Sequence, residues 1–309
     1  MKMKFPFKRL LLVSAVASSM VFIQSCKEDE PANNDPLPTK NMLEVVGDAK
    51  FSIFKAAIDK ANFASVLSGS AKYTIFAPTD DQFVSAGITN VDGLTETQAA
   101  NLIKYHMLEG EFTSANIAAY GYMTTLNTEG PSGLKLKLNL RIDNGTIRAN
   151  NAQVVGTTKA TNGIIHELAG VLKQPTVYDM ILNSSDLSKY RTGLDLETAI
   201  REPLKNATAL TTVFVVNNAG TDAYTKLKER QFSSMMPADR RAFLNNTIVP
   251  NTNKLAAGLT AGTLNTQGNP ITIGMNAGKV TLNDSITVTI TDIQCLNGVL
   301  HVIDKSLAK

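Results

Sequence analysis

The pentapeptide NGIIH at residues 162–166 returns as NGVLH at residues 297–301. Each copy reads as a turn, two apolar residues entering a sheet, and a histidine on the closing stretch. His166 and His301 are two of the three histidines in the 309-residue chain. They are either the working parts of a site or the mark of a module built twice.

Working outward, the chain repeats itself. Thr74-Ile75-Phe76 is echoed by Thr212-Val213-Phe214, and TLNTEG from Thr125 by TLNTQG from Thr263, both 138 residues apart; the NG pair is offset by 135. Three ordered matches at nearly constant spacing mark an internal repeat. The copies divide near Gln174 and Pro175, giving units at residues 42–174 and 175–309.

Within each unit, helix signals precede strand signals. Phe51, Phe54 and Ile58 in the first copy, and Met180 with Ile181 in the second, fall at helical spacing. KYTIFAP from Lys72 predicts a short strand. Thr79 with Gln82 and Thr95 with Gln98 predict capping boxes, and Asn217 predicts a cap in the second copy. Asp80 and Asp81 then sit in a first helical turn, where the helix dipole favours carboxylates. Further on, Leu134, Leu136, Leu138, Leu140 and Ile142 alternate with Lys135, Lys137, Asn139 and Arg141, the period of a half-buried strand. Asp143-Asn144-Gly145 supplies a hairpin turn. Ile286, Val288 and Ile290 alternate with Thr287 and Thr289 in the same way. The expected class is α+β with antiparallel sheet. Each histidine is expected to tie its closing strand to the core beside the Thr74 or Thr212 strand; a ligand contact or a pH response is the alternative.

The start of the chain has a different character. Lys2, Lys4, Lys8 and Arg9 precede an apolar run at residues 10–23, too short to span a bilayer comfortably, so residues 1–25 read as a secretory signal. Ile23, Ser25 and Cys26 resemble the bacterial lipobox, with Gln24 departing from its usual small residue. The resemblance implies cleavage before Cys26 and acylation of that cysteine, an anchor in the membrane. Residues 26–41 then form a polar, proline-rich tether reaching about 45 Å. Its run Lys27, Glu28, Asp29, Glu30 resembles the export signal of surface lipoproteins in Bacteroidetes, which implies an outer-membrane protein facing the cell surface; any solvated linker has a similar composition.

Losing the four signal cations takes the formal charge from +3 to −1, which gives no support to nucleic-acid binding. With Cys26 acylated, Cys295 has no intrachain partner and reads as a small buried hydrophobe.

YTIFAPTDDQF from Tyr73, Tyr105-His106, and NGIIHELAGVL from Asn162 together resemble the fasciclin domain, an extracellular module of adhesion proteins and bacterial surface proteins. Thr74, Phe76, Ala77, Pro78, Thr79, Asp80, Asn162, Gly163 and His166 carry the match in the first copy. In the second, Asn297, Gly298 and His301 are kept, while Val215-Val216 replace Ala77-Pro78 and Asn246-Thr247 replace Tyr105-His106. The resemblance implies two tandem domains, each a compact antiparallel β-wedge decorated by helices, the second divergent. It also implies partner contacts at a Tyr-His segment and at an Asp-Ile pair just before the NG motif. The candidates are Tyr105, His106, Asp292 and Ile293; Thr157 and Thr158 stand where the Asp-Ile pair of the first copy would be. Tyr105 and Ile293 fit a plain core role equally well.

Catalytic patterns are absent from the sequence: no G-x-S-x-G elbow, no H-E-x-x-H, no phosphate-cradling glycine loop and no cysteine-rich metal spacing. The expectation is a protein without catalysis, metal or cofactor. Two functions fit: a surface-anchored adhesion or protein-interaction module, or an accessory outer-membrane lipoprotein of a glycan-uptake system that binds saccharide beside a transporter. The partner is then a surface protein or a glycan. No Trp, seven Tyr and twelve Phe offer few sugar platforms, with Tyr120 and Tyr122 the nearest to a cluster.

Overall fold

A computed structural model describes residues 37–114, 116–117 and 121–309. Cys26 and Tyr120 lie outside the described residues. Pro38–Lys309 forms one compact unit in which the two repeats share a topology.

The first repeat contains helices α1 (Met42–Val45), α2 (Ser52–Lys60) and α3 (Ala64–Ser68), strand β1 (Tyr73–Pro78), then α4 (Asp80–Ser85) and α5 (Glu96–Tyr105). Its remaining strands are β2 (Met107–Glu109), β3 (Tyr122–Thr124), β4 (Lys137–Asp143), β5 (Thr146–Ala149), β6 (Ala152–Ala160) and β7 (Gly163–Leu168). The second repeat has α6 (Val177–Leu182), α7 (Ser188–Asp195), α8 (Thr198–Lys205), β8 (Thr211–Val216), α9 (Asn218–Leu227) and α10 (Pro237–Asn245). Strands β9 (Ile248–Pro250), β10 (Gly262–Leu264), β11 (Ile271–Asn276), β12 (Lys279–Leu282), β13 (Ile286–Cys295) and β14 (Gly298–Ile303) complete it.

The two sheets run β2-β1-β7-β6-β5-β4-β3 and β9-β8-β14-β13-β12-β11-β10. The fold is α+β as expected, with one refinement. The closing strand lies parallel to the first in each sheet, β7 on β1 and β14 on β8, while the other pairs are antiparallel. The helices and hairpins between these strands supply the long crossover that parallel pairing needs.

On one side of the first sheet, the α2 stripe of Phe54 and Ile58 packs with Phe83 and Ile103; a second cluster gathers Phe76, Tyr105, Leu138 and Leu140. In the second repeat one continuous core includes Tyr190, Phe214 and Phe243.

Local readings meet mixed outcomes. Thr95 and Gln98 form the reciprocal capping box, and Asn217 accepts from the Gly220 amide at 2.8 Å. Thr79 does occupy the N-cap of α4, but its side chain makes no capping bond, so the expected box with Gln82 does not form. Asn144 and Gly145 turn the β4–β5 hairpin with φ of 48° and 77°, the left-handed pair a tight hairpin demands.

Leu136, Leu138 and Leu140 are fully buried, yet Asn139 on the opposite face is also buried, because the second repeat covers that face of β4. The TLNT echo is out of register. Leu126 donates its amide to Met107 O, and in the second repeat Gln267 donates to the corresponding Ile248 O. Gln267, rather than Leu264, therefore holds the place of Leu126.

Candidate functional site

The NG motif places two residues that do different work. Asn162 is buried, and its carboxamide is saturated: Oδ1 accepts from the Met42 amide at 2.8 Å, and Nδ2 donates to Leu67 O and Gly69 O at 2.8 and 2.7 Å. Asn297 repeats the clamp on Val177 N, Leu204 O and Asn206 O at 2.7, 3.0 and 2.9 Å. One side chain thus satisfies a helix start and a chain reversal after a helix, groups that would otherwise be buried without partners. Gly163 and Gly298 follow with φ of 152° and 148°. A Cβ at either would stand 2.1 Å from Tyr73 O or 1.8 Å from Thr211 O, across the parallel strand pair.

Three residues on, each histidine closes a ring of bonds. Thr74 Oγ1 accepts from Phe112 N at 2.8 Å and donates to Gly110 O; Phe112 O meets His166 Nε2 at 2.8 Å; His166 Nδ1 meets Thr157 Oγ1 at 2.9 Å. In the second repeat Thr212 Oγ1 accepts from Lys254 N at 2.9 Å, Lys254 O meets His301 Nε2 at 2.8 Å, and His301 Nδ1 accepts from Asp292 N at 3.3 Å. A carbonyl at Nε2 requires the proton there and leaves Nδ1 as acceptor, so both imidazoles are the neutral Nε2–H tautomer. Each ring stacks on the neighbouring phenylalanine, Phe76 or Phe214, at 5.3 and 5.4 Å. Desolvation lowers both pKa values, against the opposing pull of the carbonyl bond.

The other motif residues are also spent internally. Phe76, Ala77 and Pro78 are buried. Asp80, in the first turn of α4, reaches across to cap α2, accepting from Ser52 N, Ser52 Oγ and Ile53 N at 3.1, 2.6 and 2.8 Å. Its counterpart Asn218 accepts from Lys189 N at 3.0 Å at the start of α7. From sequence the Asp80 carboxylate is expected to serve its own helix; in the structure it serves the start of α2 instead.

The four candidate partner contacts do not form an accessible patch. Tyr105, His106 and Ile293 have 0% relative exposure, which leaves a partner nothing to touch in this conformation. Tyr105 Oη donates to Lys137 O and accepts from Asn150 Nδ2, and burial pushes its phenol pKa up. His106 donates Nδ1–H to Leu102 O at 2.8 Å and accepts from Leu172 N at 3.0 Å; desolvation lowers its pKa to about 4. Asp292 retains solvent contact but sits at a bulge with φ of 60°, accepting from Ala256 N at 2.7 Å. Thr157 and Asp292 therefore hold corresponding places beside their histidines. Cys295 is buried, its thiol pKa raised by desolvation.

A further polar group, unmarked by any motif, joins the repeats. Tyr122 Oη and Asn139 Nδ2 bond Ser184 Oγ at 2.7 and 3.2 Å, Arg141 Nη1 donates to Asn183 O at 2.7 Å, and Asn151 Nδ2 donates to Asn183 Oδ1 at 2.6 Å. Leu296 N donates to Pro175 O at 2.9 Å. The turn after α6 is thereby seated on the β4–β5 side of the first repeat.

Two copies of one α+β wedge, each locked by an Asn-Gly clamp and a buried histidine, define a tandem domain pair. The chain belongs to the fasciclin domain family, whose model matches residues 49–175 and again 185–309. An uncharacterised Synechocystis protein is 29% identical over 136 residues, 43% of this chain and 96% of that protein. Rabbit (Oryctolagus cuniculus) transforming growth factor-beta-induced protein ig-h3 is 23% identical and human periostin 24%; each match covers 88% of this chain but only 40% and 32% of those proteins. The fold matches a fasciclin domain pair from the insect cell adhesion molecule fasciclin I, with TM-score 0.51, 20% identity, and coverage of 87% of this chain and 96% of that one.

Proposed function

We propose that this protein is a non-catalytic adhesion or protein-interaction module, held at the bacterial outer surface by acyl chains on Cys26. The observation that carries the reading is the state of the three histidines. Each is 0% exposed and has both ring nitrogens engaged inside its domain, so none is free to exchange protons with a substrate or to present a ligand contact. What remains for function is outer surface. The kinship with a domain pair of an insect cell adhesion molecule supports the same reading.

Saccharide binding beside a transporter loses its nearest aromatic support, because Tyr122 packs against the core of the second repeat and bonds Ser184. Protease treatment of intact cells should release the protein, and Cys26→Ala should shift it from the membrane to the soluble fraction. Protection until lysis would remove the surface placement; glycan-array binding by Pro38–Lys309, without cell or matrix adhesion, would reinstate the uptake reading.

A further inference from the structure

One segment reverses its charge between the repeats. Phe76 N donates to His106 O and Phe214 N to Thr247 O, so Tyr105 matches Asn246 at the end of α5 or α10, as Asp80 matches Asn218 at the start of α4 or α9. Between those limits, residues 80–105 carry one cation and four acids, whereas residues 218–246 carry five cations and three acids. The net charge of the segment goes from −3 to +2.

The cations of the second repeat gather at one corner. Lys228 Nζ pairs with Asp239 Oδ1 at 3.5 Å and Tyr224 Oη donates to Asp239 O at 3.4 Å, which ties the last turn of α9 to the first turn of α10. Arg240 and Arg241 pair with Glu197 at 2.7 and 3.6 Å. Lys226 and Arg230 are exposed, and among the described residues neither side chain makes a hydrogen bond or ion pair. The corner also bares apolar side chains: Leu227, between Lys226 and Lys228, is 70% exposed, and Met236, the N-cap of α10, is 57% exposed.

Charge and apolar exposure together select the occupant. A soluble polyanion would leave Leu227 and Met236 in water, and a neutral apolar face would leave Lys226 and Arg230 without counter-charge. A bilayer with anionic headgroups meets both needs, since phosphates face the cations while the apolar tips enter the boundary between headgroups and acyl chains. An acidic protein face with an apolar centre offers similar chemistry, but acyl chains on Cys26 and a tether of about 45 Å keep a bilayer in constant reach.

We propose that the α9–α10 corner of the second repeat is a second membrane contact, which lays this repeat on anionic headgroups. The proposal rests on the anchored reading for the nearness of a bilayer. Its first test uses Pro38–Lys309, which lacks Cys26, so headgroup contact and acyl anchoring fail separately.

The chain contains no Trp, so a single introduced one reports its own surroundings. Leu227→Trp and, separately, Met236→Trp should blue-shift their emission on vesicles of equimolar phosphatidylcholine and phosphatidylglycerol, and not on phosphatidylcholine alone. Val84→Trp, at a 54% exposed apolar position in the acidic segment of the first repeat, should not shift on either. Adding Lys226→Glu with Arg230→Glu to Leu227→Trp should weaken vesicle binding roughly tenfold or more. No shift on the anionic vesicles, an equal shift on neutral ones or from Val84→Trp, or binding indifferent to the charge reversal overturns the proposal. An equal shift with dextran sulfate in place of vesicles also overturns it, by making the occupant a soluble polyanion. On intact cells a photo-cross-linker at position 227 of the full chain should capture lipid; capture of protein instead would make the occupant an acidic protein face and overturn the proposal.

Discussion

Asn162 accepts the amide of Met42 across 120 residues of chain, and Asn297 accepts that of Val177 across the same separation. The clamp joins the first helix of each domain to its last strand, and both ends of the bond are buried. Asn162→Ala or Asn297→Ala strands three backbone groups and should each cost about 3 kcal/mol. Urea denaturation would read this directly; a loss below about 0.5 kcal/mol would show that the groups find other partners.

The neighbouring glycines separate conformational need from turn preference. Gly163→Ala and Gly298→Ala place a methyl carbon against a strand carbonyl and should each destabilise by more than about 3 kcal/mol, since neither backbone can shift without parting the parallel pair. Gly145, with φ of 77° and nothing within 4 Å of a built Cβ, should accept Asn at a small cost. Equal losses at Gly145 and Gly163 would contradict this.

Acid should weaken the fold through its histidines. All three have pKa values lowered by burial, so between the folded pKa and the unfolded value of about 6.5 the unfolded chain binds more protons. Their contribution is complete above about pH 6.5 and is lost as the pH falls, the His106 share ending near its folded pKa of about 4. That share is worth roughly 3 kcal/mol. Urea midpoints measured at descending pH should fall accordingly, and His106→Gln should flatten the slope; an unchanged slope would place the protons elsewhere.

Tyr105→Phe tests whether this residue serves a partner or the core. The change removes a hydroxyl bonded to Lys137 O and Asn150 while leaving the surface intact. Stability should fall by about 1–2 kcal/mol with adhesion per folded molecule unchanged. Lost adhesion at full stability would restore Tyr105 as a contact residue.

The seam between repeats should register as coupling. A double-mutant cycle of Tyr122→Phe and Ser184→Ala should give about 1 kcal/mol of interaction energy in the unfolding of Pro38–Lys309. A value near zero would mean that the 2.7 Å contact adds nothing to the packing around it.

Much of the fold was legible because it is written locally. Period-two leucines, the Thr95–Gln98 box, the Asp143–Gly145 turn and the repeat itself depend on residues close in sequence or on a fixed offset. The misses share a different cause. The reach of Asp80 to α2, the clamp of Asn162 on Met42, Leu67 and Gly69, and the burial of Asn139 each depend on which distant element arrives alongside, and the residue types alone do not say so. The TLNT echo misled for a related reason: unequal loops slid a matching string out of step with the sheet. Of the candidate site, the histidines and glycines were identified by their recurrence, whereas burial of Tyr105, His106 and Ile293 follows from packing that a polar-looking motif conceals.

The parallel pairing of first strand and last has a kinetic consequence. Tyr73 meets Gly163 and Thr211 meets Gly298, so β1 and β8 have no central neighbour until nearly the whole of their domain has been made. Closing so long a loop before any sheet contact rewards it slows folding. A chain emerging end-first from a ribosome or a membrane channel would remain threadable until its NG-His strand appears, and would then close one domain at a time, in the order of synthesis.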